Sequence, residues 1–467
     1  MEELTPPDPS QTAIRDDAPP EQLAKIVGLL LAAGQILEAE VRFTRVLPPD
    51  QADILSHLSP DLRALLLGQL SPKVLGLILA ELDLQHAIEL SQQLDSAMLS
   101  KVLDDTSPDV AADVLRGLPD EMAASALEQM ATADHVAPLL EYADDRAGGL
   151  MTPEFVALRE DITVGQAISF VQAWSREYAS RDISQVFIVD HNGGLRGTAS
   201  LAQLVLAGPY QLLSLIMEHE VISVTTETDQ EEVARIMERY DIHRLPVVDD
   251  AEKLVGMVGI DDIIDVFEEE ATEDMFRMIG VGEGERILGP FWLSVRSRLP
   301  WLCVNLATVI AAGLVITLFQ STVVRAIALA AFLPVIAGQG GIAGTQTLTL
   351  IVRSIALGEV GIGAARRLIL KELGLGLVHG VALGLLVGVI ALAWQGNTYL
   401  ALVAGLAMLA NMIVAGISGV LVPLGFRALR IDPALASAVA VTSATDIFGL
   451  LIYLGLATLM IGLITGS

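Results

Sequence analysis

Pro433-Ala-Leu-Ala-Ser-Ala-Val-Ala-Val-Thr442-Ser443-Ala-Thr445-Asp446-Ile-Phe-Gly-Leu-Leu-Ile-Tyr-Leu-Gly-Leu-Ala-Thr-Leu-Met-Ile-Gly-Leu-Ile464 is an apolar run near the end of the chain with a single carboxylate well inside it. A helix of that length crosses a bilayer, and an ionisable side chain within such a helix is costly unless it lines a wet cavity or binds something. In a water-facing protein a buried Asp is usually a satisfied structural residue. In a membrane helix the weighting reverses, and Asp446 marks an ion or substrate path.

Outward from this run, the chain has two characters. Residues 1–290 carry 19 Lys and Arg against 53 Asp and Glu, a net of −34, whereas residues 291–467 carry 9 against 4, a net of +5. The first part reads as an acidic soluble region and the second as a membrane region. A charge of that sign argues against nucleic-acid binding, which needs Lys and Arg on the phosphates, and suits cations. For most of these carboxylates, solubility through self-repulsion is reason enough. Cys303 is the only cysteine, which rules out an intrachain disulfide and a thiolate metal cluster. Residues 1–20 are acidic and proline-rich, with no basic segment followed by an apolar one; they predict a disordered tail and no signal peptide.

Five spans fit the hydropathy of the membrane region: Leu299–Phe319, Ile327–Val352, Leu373–Trp394, Tyr399–Phe426 and Pro433–Ile464. Arg296 and Arg298 precede the first span. Arg353, Arg366, Arg367 and Lys371 lie between the second and third, and Arg427 and Arg430 between the fourth and fifth, while the opposite loops hold only Arg325. The positive-inside rule places the acidic N-terminal part in the cytoplasm of a cell with this protein in its plasma or inner membrane, and the C-terminus outside. The second span contains Pro334-Val-Ile-Ala-Gly338-Gln-Gly340-Gly341-Ile342-Ala-Gly344-Thr345-Gln346. Gly340 and Gly344 could form a helix-packing pair, and the whole stretch predicts an irregular or close-packed segment lining a cavity.

Residues 21–140 are rich in Leu and Ala and repeat every twelve residues. Ser59-Pro60, Ser71-Pro72, Asp83-Leu84, Asp95-Ser96 and Ser107-Pro108 stand twelve apart, and Leu118-Pro119 follows one residue early. Each unit opens on a capping residue, often with proline next, then runs into an apolar stripe. Short units of this kind cannot bury their own faces and stack into a superhelix. No catalytic constellation appears there, and packing or partner contact is the expected role.

After Gly149 the pattern alternates strands and helices, twice over. Gln185-Val-Phe-Ile-Val-Asp190 and Gly197 are echoed by Arg244-Leu-Pro-Val-Val-Asp249 and Gly256 at an offset of 59, and Thr163 matches Thr228 at 65. Two β-α-β-β-α copies are predicted, at 141–207 and 208–267. They resemble a pair of CBS domains, a module that commonly binds adenine nucleotides. The ribose-contacting ending is imperfect in both: Ser200 is followed by Gln203 where Asp is expected, and Asp262 follows Gly259 where Thr is expected. The residues themselves lend nucleotide binding no support. Next, Asp261 to Asp274 holds eight carboxylates in fourteen residues, with Asp262, Asp265, Glu269 and Glu273 on one side of a helix, where like charges repel. An isolated charge run is more often a solvated face. Its place at the head of a connector, 268–296, raises the alternative that Mg²⁺, a hard ion suited to oxygen ligands, neutralises it.

The Pro-x-x-x-Gly-x-Gly-Gly-x-x-Gly-x-Gln stretch, the CBS pair, the acidic connector and Thr442-Ser-Ala-Thr445-Asp446 together resemble the MgtE family of magnesium channels, over nearly the whole chain. The fold class expected is multidomain: an all-α helical-repeat N domain, an α/β tandem CBS pair, a long connector ("plug") helix and an all-α five-helix transmembrane domain at 297–467. The resemblance implies a homodimer whose ion path runs between the second and fifth spans. It implies that Asp446 recognises hydrated Mg²⁺ through its water shell, with Pro334, Gly338, Gly340, Gly341, Gly344, Gln346, Thr442 and Thr445 lining the path. It also implies regulatory Mg²⁺ carboxylates at Asp229, Asp241, Asp262, Asp265, Glu270, Glu273 and Asp274, and ATP as a ligand of the CBS pair. The family carries Gly-Gly-Asn where this chain has Gly340-Gly341-Ile342, so one amide is missing from that segment. The expected function is inward Mg²⁺ conduction gated by cytosolic Mg²⁺. Two alternatives stand beside it: an ion-coupled secondary transporter of divalent cations, and a membrane-anchored nucleotide sensor. No nucleophile–base pair or metal-ligand histidine spacing suggests an enzyme, and there is no Gly-x-x-x-x-Gly-Lys-Ser/Thr loop for ATP hydrolysis.

Overall fold

The computed structural model describes residues 19–177, 183–282, 285, 289, 291–360, 363, 365–435 and 437–465. Most of the tail predicted over 1–20 lies outside them; Pro20 already opens a helix, Pro20–Ala32. The chain divides into two compact units, Met1–Phe267 and Glu268–Ser467.

In the first unit the twelve-residue period becomes six helices: Pro60–Leu67, Pro72–Leu79, Leu84–Ser91, Ser96–Asp104, Pro108–Gly117 and Asp120–Gln129. Their first residues keep the spacing of twelve throughout. The apparent slip at Leu118-Pro119 is absorbed because Pro119 is the cap itself, not the first helical residue. Capping oxygens hold several starts: Ser71 accepts from the Val74 amide, Asp83 from His86 and Asp95 from Met98 at 2.8 Å. Alternate helices pack on one another, Pro72–Leu79 on Ser96–Asp104, that on Asp120–Gln129, and Leu84–Ser91 on Pro108–Gly117, so the repeat winds in two interleaved rows. Leu66, Leu75, Ile78, Leu79, Leu90 and Leu99 are fully buried between them.

Two three-stranded sheets follow. Strands β1 (Ala157–Arg159), β2 (Gln185–Val189) and β3 (Leu195–Ser200) form the first; β4 (Val224–Thr225), β5 (Arg244–Val248) and β6 (Leu254–Gly259) form the second. In each, the first pair is parallel and the second antiparallel, so the duplication seen at an offset of 59 is structural as well. The two copies are stitched by the Leu254 amide to the Gly193 carbonyl and by Arg244 Nε to Ser184 Oγ, both about the length of an ordinary hydrogen bond.

One helix, Ile260–Ile279, leaves the second sheet and runs across the boundary between the units. It starts eight residues before the predicted connector of 268–296 and stops well short of its end. Gly280, at φ 73°, terminates it: the Gly280 amide bonds the Arg277 carbonyl and the Val281 amide bonds the Phe276 carbonyl. That bond pair is a Schellman motif, which needs a residue free to adopt positive φ.

Five helices of the second unit are long and apolar enough to cross a membrane: Phe291–Leu318, Ile327–Ala356, Ala365–Gln395, Thr398–Ala428 and Ala438–Leu459. The second begins as a 3₁₀ segment, Ile327–Phe332, and continues as a regular α-helix through the whole glycine run. Gly340, Gly341 and Gly344 therefore serve close packing, while Gly338 faces open space; the irregular turn lies before Pro334. The fifth helix is shorter than the apolar run suggests, because Pro433 to Leu435 form a turn and the helix breaks at Met460. Spans three and four meet backbone to backbone. A methyl group on Gly376, Gly380 or Gly384 would come within 2.9 Å of Met412 O, Leu409 O or, at 2.6 Å, Gly405 O. This stripe at i, i+4, i+8 gives membrane helices the close contact that lipid cannot drive.

Candidate functional site: an acid-bearing cleft in the membrane unit

The i, i+3/i+4 rule places Gly338, Gly341, Ile342, Thr345 and Thr349 along one face of the second span, and Thr442 and Asp446 one turn apart on the fifth. These residues, with Ala337 and Gln346, line one open cleft of about 500 Å³. The hydroxyls are tethered to their own helices. Thr345 Oγ1 donates to Gly341 O at 2.9 Å, Thr349 Oγ1 to Thr345 O at 3.0 Å and Thr442 Oγ1 to Ala438 O at 2.9 Å. With their protons committed, their oxygen lone pairs are the groups left for a solvated cation. Gly341 brings the second span against Thr442, whose Cγ2 would lie 3.4 Å from an added Cβ.

Of the lining residues expected from sequence, the cleft gathers Gly338, Gly341, Gln346 and Thr442 with Asp446. Gly340, Gly344 and Thr445 lie behind it instead. A Cβ on Gly344 would come within 2.5 Å of Val441 Cγ1, and Thr445 is fully buried with its hydroxyl on Thr442 O. Pro334 stands at the start of the α-helix, outside the cleft. Among the described residues no group of three or more His, Cys, Asp or Glu is arranged to hold a bare metal ion.

Two polar groups behind the walls were not singled out from sequence. Asn411, on the fourth span, is fully buried and donates from Nδ2 to Ile336 O at 2.7 Å. Glu372, on the third span, is 9% exposed and accepts from Thr347 Oγ1 at 2.9 Å. Neither could be found from spacing: Asn411 sits in an Ala- and Met-rich run, and Glu372 follows Lys371 in what reads as a cytoplasmic basic cluster.

The first unit holds a second acidic site, a cavity of about 1430 Å³ between the helical repeat and the CBS pair. Asp241, Asp262 and Asp265 line it together with Asp261 and with Asp109, from the repeat. Asp262 accepts from the Gly259 amide at 3.0 Å. Burial pushes its carboxyl well above the ordinary carboxylate range, and the neighbouring Asp109 and Asp261 push it further. Neutralising any of these carboxylates would relieve that cost. Asp109 was missed because its partner lies on a different domain. Asp229 lines no part of this cavity: it caps helix Gln230–Tyr240 through the Glu231 amide and pairs with Arg146 at 3.5 Å. Glu270, Glu273 and Asp274 belong to the second unit, where Glu273 pairs with Arg277. At the ribose position of the first copy, Gln203 closes a capping box with Ser200 and donates to Glu218 Oε1 at 2.9 Å. Glu81, Glu154, Glu218 and Glu220 also line this cavity, together with His243 and Arg244.

A helical repeat, a CBS pair and five apolar helices with a carboxylate in a cleft define a multi-pass membrane protein with a large N-terminal part outside the spans. Family models match the chain as a divalent cation transporter over residues 333–456, as CBS domains over 147–209 and 213–269, and as the MgtE intracellular N domain over 46–145. Magnesium transporter MgtE of Thermus thermophilus is 38% identical over 444 residues, 92% of each chain. The MgtE of Bacillus subtilis is 29% identical over 94% of this chain and 98% of its own, and that of Enterococcus faecalis 36% over 70% and 72%. The chain belongs to the MgtE family.

Proposed function

We propose that this protein conducts Mg²⁺ into the cytoplasm along a path walled by the second and fifth spans, with Asp446 as the selecting carboxylate. The convergence of Asp446 with Thr345, Gln346, Thr349 and Thr442 on one cleft carries the reading. The relatives' shared name, magnesium transporter, supports the choice of ion. Mg²⁺ dehydrates reluctantly and keeps several waters, which suits one carboxylate and a row of oxygen lone pairs better than a closed cage. The cleft is open along its length, and a second copy of the chain facing it would complete the path as a homodimer with two Asp446 carboxylates. With the arginine-rich loops cytoplasmic and the C-terminus outside, a membrane potential negative inside drives a divalent ion inward by about 4.6 kcal/mol per 100 mV.

Cytosolic Mg²⁺ closes the path in this reading. Bound among Asp109, Asp241, Asp261, Asp262 and Asp265 it offsets their repulsion, and its preference for the packed state shifts the population. Glu270, Glu273 and Asp274 would extend the same response along the connector, and Asp229 from its own cap. The end of the connector supports the reading: Met278 packs on Leu348 and Val352 of the second span and on Ala434 and Val441 at the head of the fifth.

The test is Mg²⁺ flux in proteoliposomes. Asp446→Asn should lower flux at least tenfold while the protein stays monodisperse, and undiminished flux overturns the reading. Wild-type flux that follows the Mg²⁺ gradient and potential alone fits conduction. An obligatory dependence on a pH or Na⁺ gradient makes the protein a coupled transporter.

A further inference from the structure

We infer that Asn411 is a positioning residue of the ion cleft, its buried amide setting the separation of the two wall helices and so the discrimination between divalent ions. The inference rests on the cation path proposed at Asp446. Asn411 lies on the fourth span, which contributes nothing to the cleft lining, yet its amide touches both walls from behind. On the second span it donates to Ile336 O at 2.7 Å, one residue before cleft-lining Ala337. A Cβ added to Gly340 would lie 2.2 Å from Asn411 Nδ2. On the fifth span a Cβ added to Gly449, one turn beyond Asp446, would lie 2.7 Å from the same amide. The amide occupies a slot whose two sides are glycines, one from each wall.

Asn411 Oδ1 is buried with no hydrogen-bond partner. A buried unsatisfied acceptor costs free energy that an apolar side chain of the same shape does not. Its neighbours on the fourth span, Ala407, Met408, Met412 and Ala415, are all buried and apolar, so leucine would serve packing as well. An amide is needed there only if its hydrogen bond to Ile336 and its flat shape matter to the cleft. The magnitude is sufficient: Mg²⁺ holds oxygens at about 2.0–2.1 Å and Ca²⁺ at about 2.3–2.6 Å, so hydrated ions differ by a few tenths of an ångström. Moving a 2.2 Å clash at Gly340 out to ordinary contact displaces a wall by more than that.

The experiment compares Mg²⁺ and Ca²⁺ flux through the full-length protein in liposomes for Asn411→Leu, Gly340→Ala and Gly449→Ala, with melting temperature measured alongside. The expected result is a melting temperature for Asn411→Leu no lower than wild type and a Mg²⁺ to Ca²⁺ flux ratio reduced at least tenfold. The two alanine variants, which push on the same slot from opposite walls, should shift the ratio in the same direction. A folded Asn411→Leu with its ratio within twofold of wild type overturns the inference. So does a fall in stability without a change in ratio, the mark of a structural role. If Asn411→Leu does not fold, unchanged ratios in Gly340→Ala and Gly449→Ala overturn it just as well. Asp446→Asn separates the two readings: if it still conducts, the path itself is misplaced; if it is silent and Asn411→Leu selective, only the role of Asn411 fails.

Discussion

The Arg277–Asp432 ion pair offers a direct measure of how firmly the connector holds the membrane helices. Arg277 Nη1 donates to Asp432 Oδ2 at 2.6 Å, while Asp432 Oδ1 accepts from the Ala434 amide at 2.8 Å and so fixes the turn leading into the fifth span. Both side chains are 30% exposed, so the pair is neither a free surface contact nor a dry one. Exposed pairs contribute about 0.2–1 kcal/mol and hydrogen bonds to charged groups somewhat more, so about 1 kcal/mol is a fair figure here. That is a factor of about five in the equilibrium between docked and released connector. If closing takes up about two Mg²⁺ ions together, fivefold in the equilibrium becomes about twofold in the Mg²⁺ concentration that half-closes the path. Arg277→Gln and Asp432→Asn each remove the charge pairing, and Asn can still accept from Ala434. Each should raise the half-inhibitory cytosolic-side Mg²⁺ about twofold in a liposome flux assay, with maximal flux unchanged. In the double variant the shift should equal that of Arg277→Gln alone, which also loses the Glu273 pair, because the Asp432 contact is lost only once. Additive shifts, or no shift in either single variant, refute the reasoning.

Three further outcomes follow from the geometry. Asp262, with its carboxyl pushed up by burial and by Asp109, keeps a proton in the folded state that the unfolded chain has already released. Stability without Mg²⁺ should therefore fall as pH rises from the ordinary carboxylate range through the raised value, and Asp262→Asn should flatten that slope in thermal melts of the whole protein. Gly380→Leu would drive a side chain into the backbone of Leu409 and should lower the melting temperature by the overpacking cost of about 1–3 kcal/mol, a loss that Leu409→Ala does not repair because the clash is with backbone atoms. Glu268→Pro, at an exposed position inside helix Ile260–Ile279, costs about 3 kcal/mol of helix and should leave flux intact while weakening its closure by Mg²⁺; normal closure argues against transmission through this helix.

Much of the fold was legible because it rests on local spacing. The twelve-residue period and the offset of 59 each depend only on residues near in sequence, and both survive in the helix starts and strand registers. Five apolar runs predicted five long helices, and the errors gather at element ends, where Pro433 before the fifth span and Gly280 after helix Ile260–Ile279 act through turn geometry. The glycine run left two alternatives, an irregular or a close-packed segment, and the helix takes the second: Gly340, Gly341 and Gly344 make room for Asn411, Thr442 and Val441 on other helices while their own helix stays regular. Asp446 was legible as an isolated charge in apolar surroundings. Asn411, Glu372 and Asp109 were not, since what makes each of them unusual is a partner on a distant element: Ile336, Thr347 and Asp262.

Under the proposed function, the two acidic sites use opposite arrangements of carboxylate for opposite tasks. A conducting site must bind weakly enough to release its ion, so one Asp446 per chain beside uncharged oxygens, reading the ion through water, is the economical solution. A sensing site must change shape on binding, and that requires a stored cost: burial first, then the neighbouring Asp109 and Asp261, raises Asp262 out of the ordinary range and makes its charged form costly. Neither arrangement could do the other's work. Crowding at Asp446 would trap a divalent ion, and a lone carboxylate in the cytosolic cavity would have no repulsion for the ion to relieve. Helix Ile260–Ile279 carries Asp262 near its first residue and Arg277 near its last, and the Glu268→Pro variant tests whether relief at one end reaches the grip on the loop before the fifth span at the other.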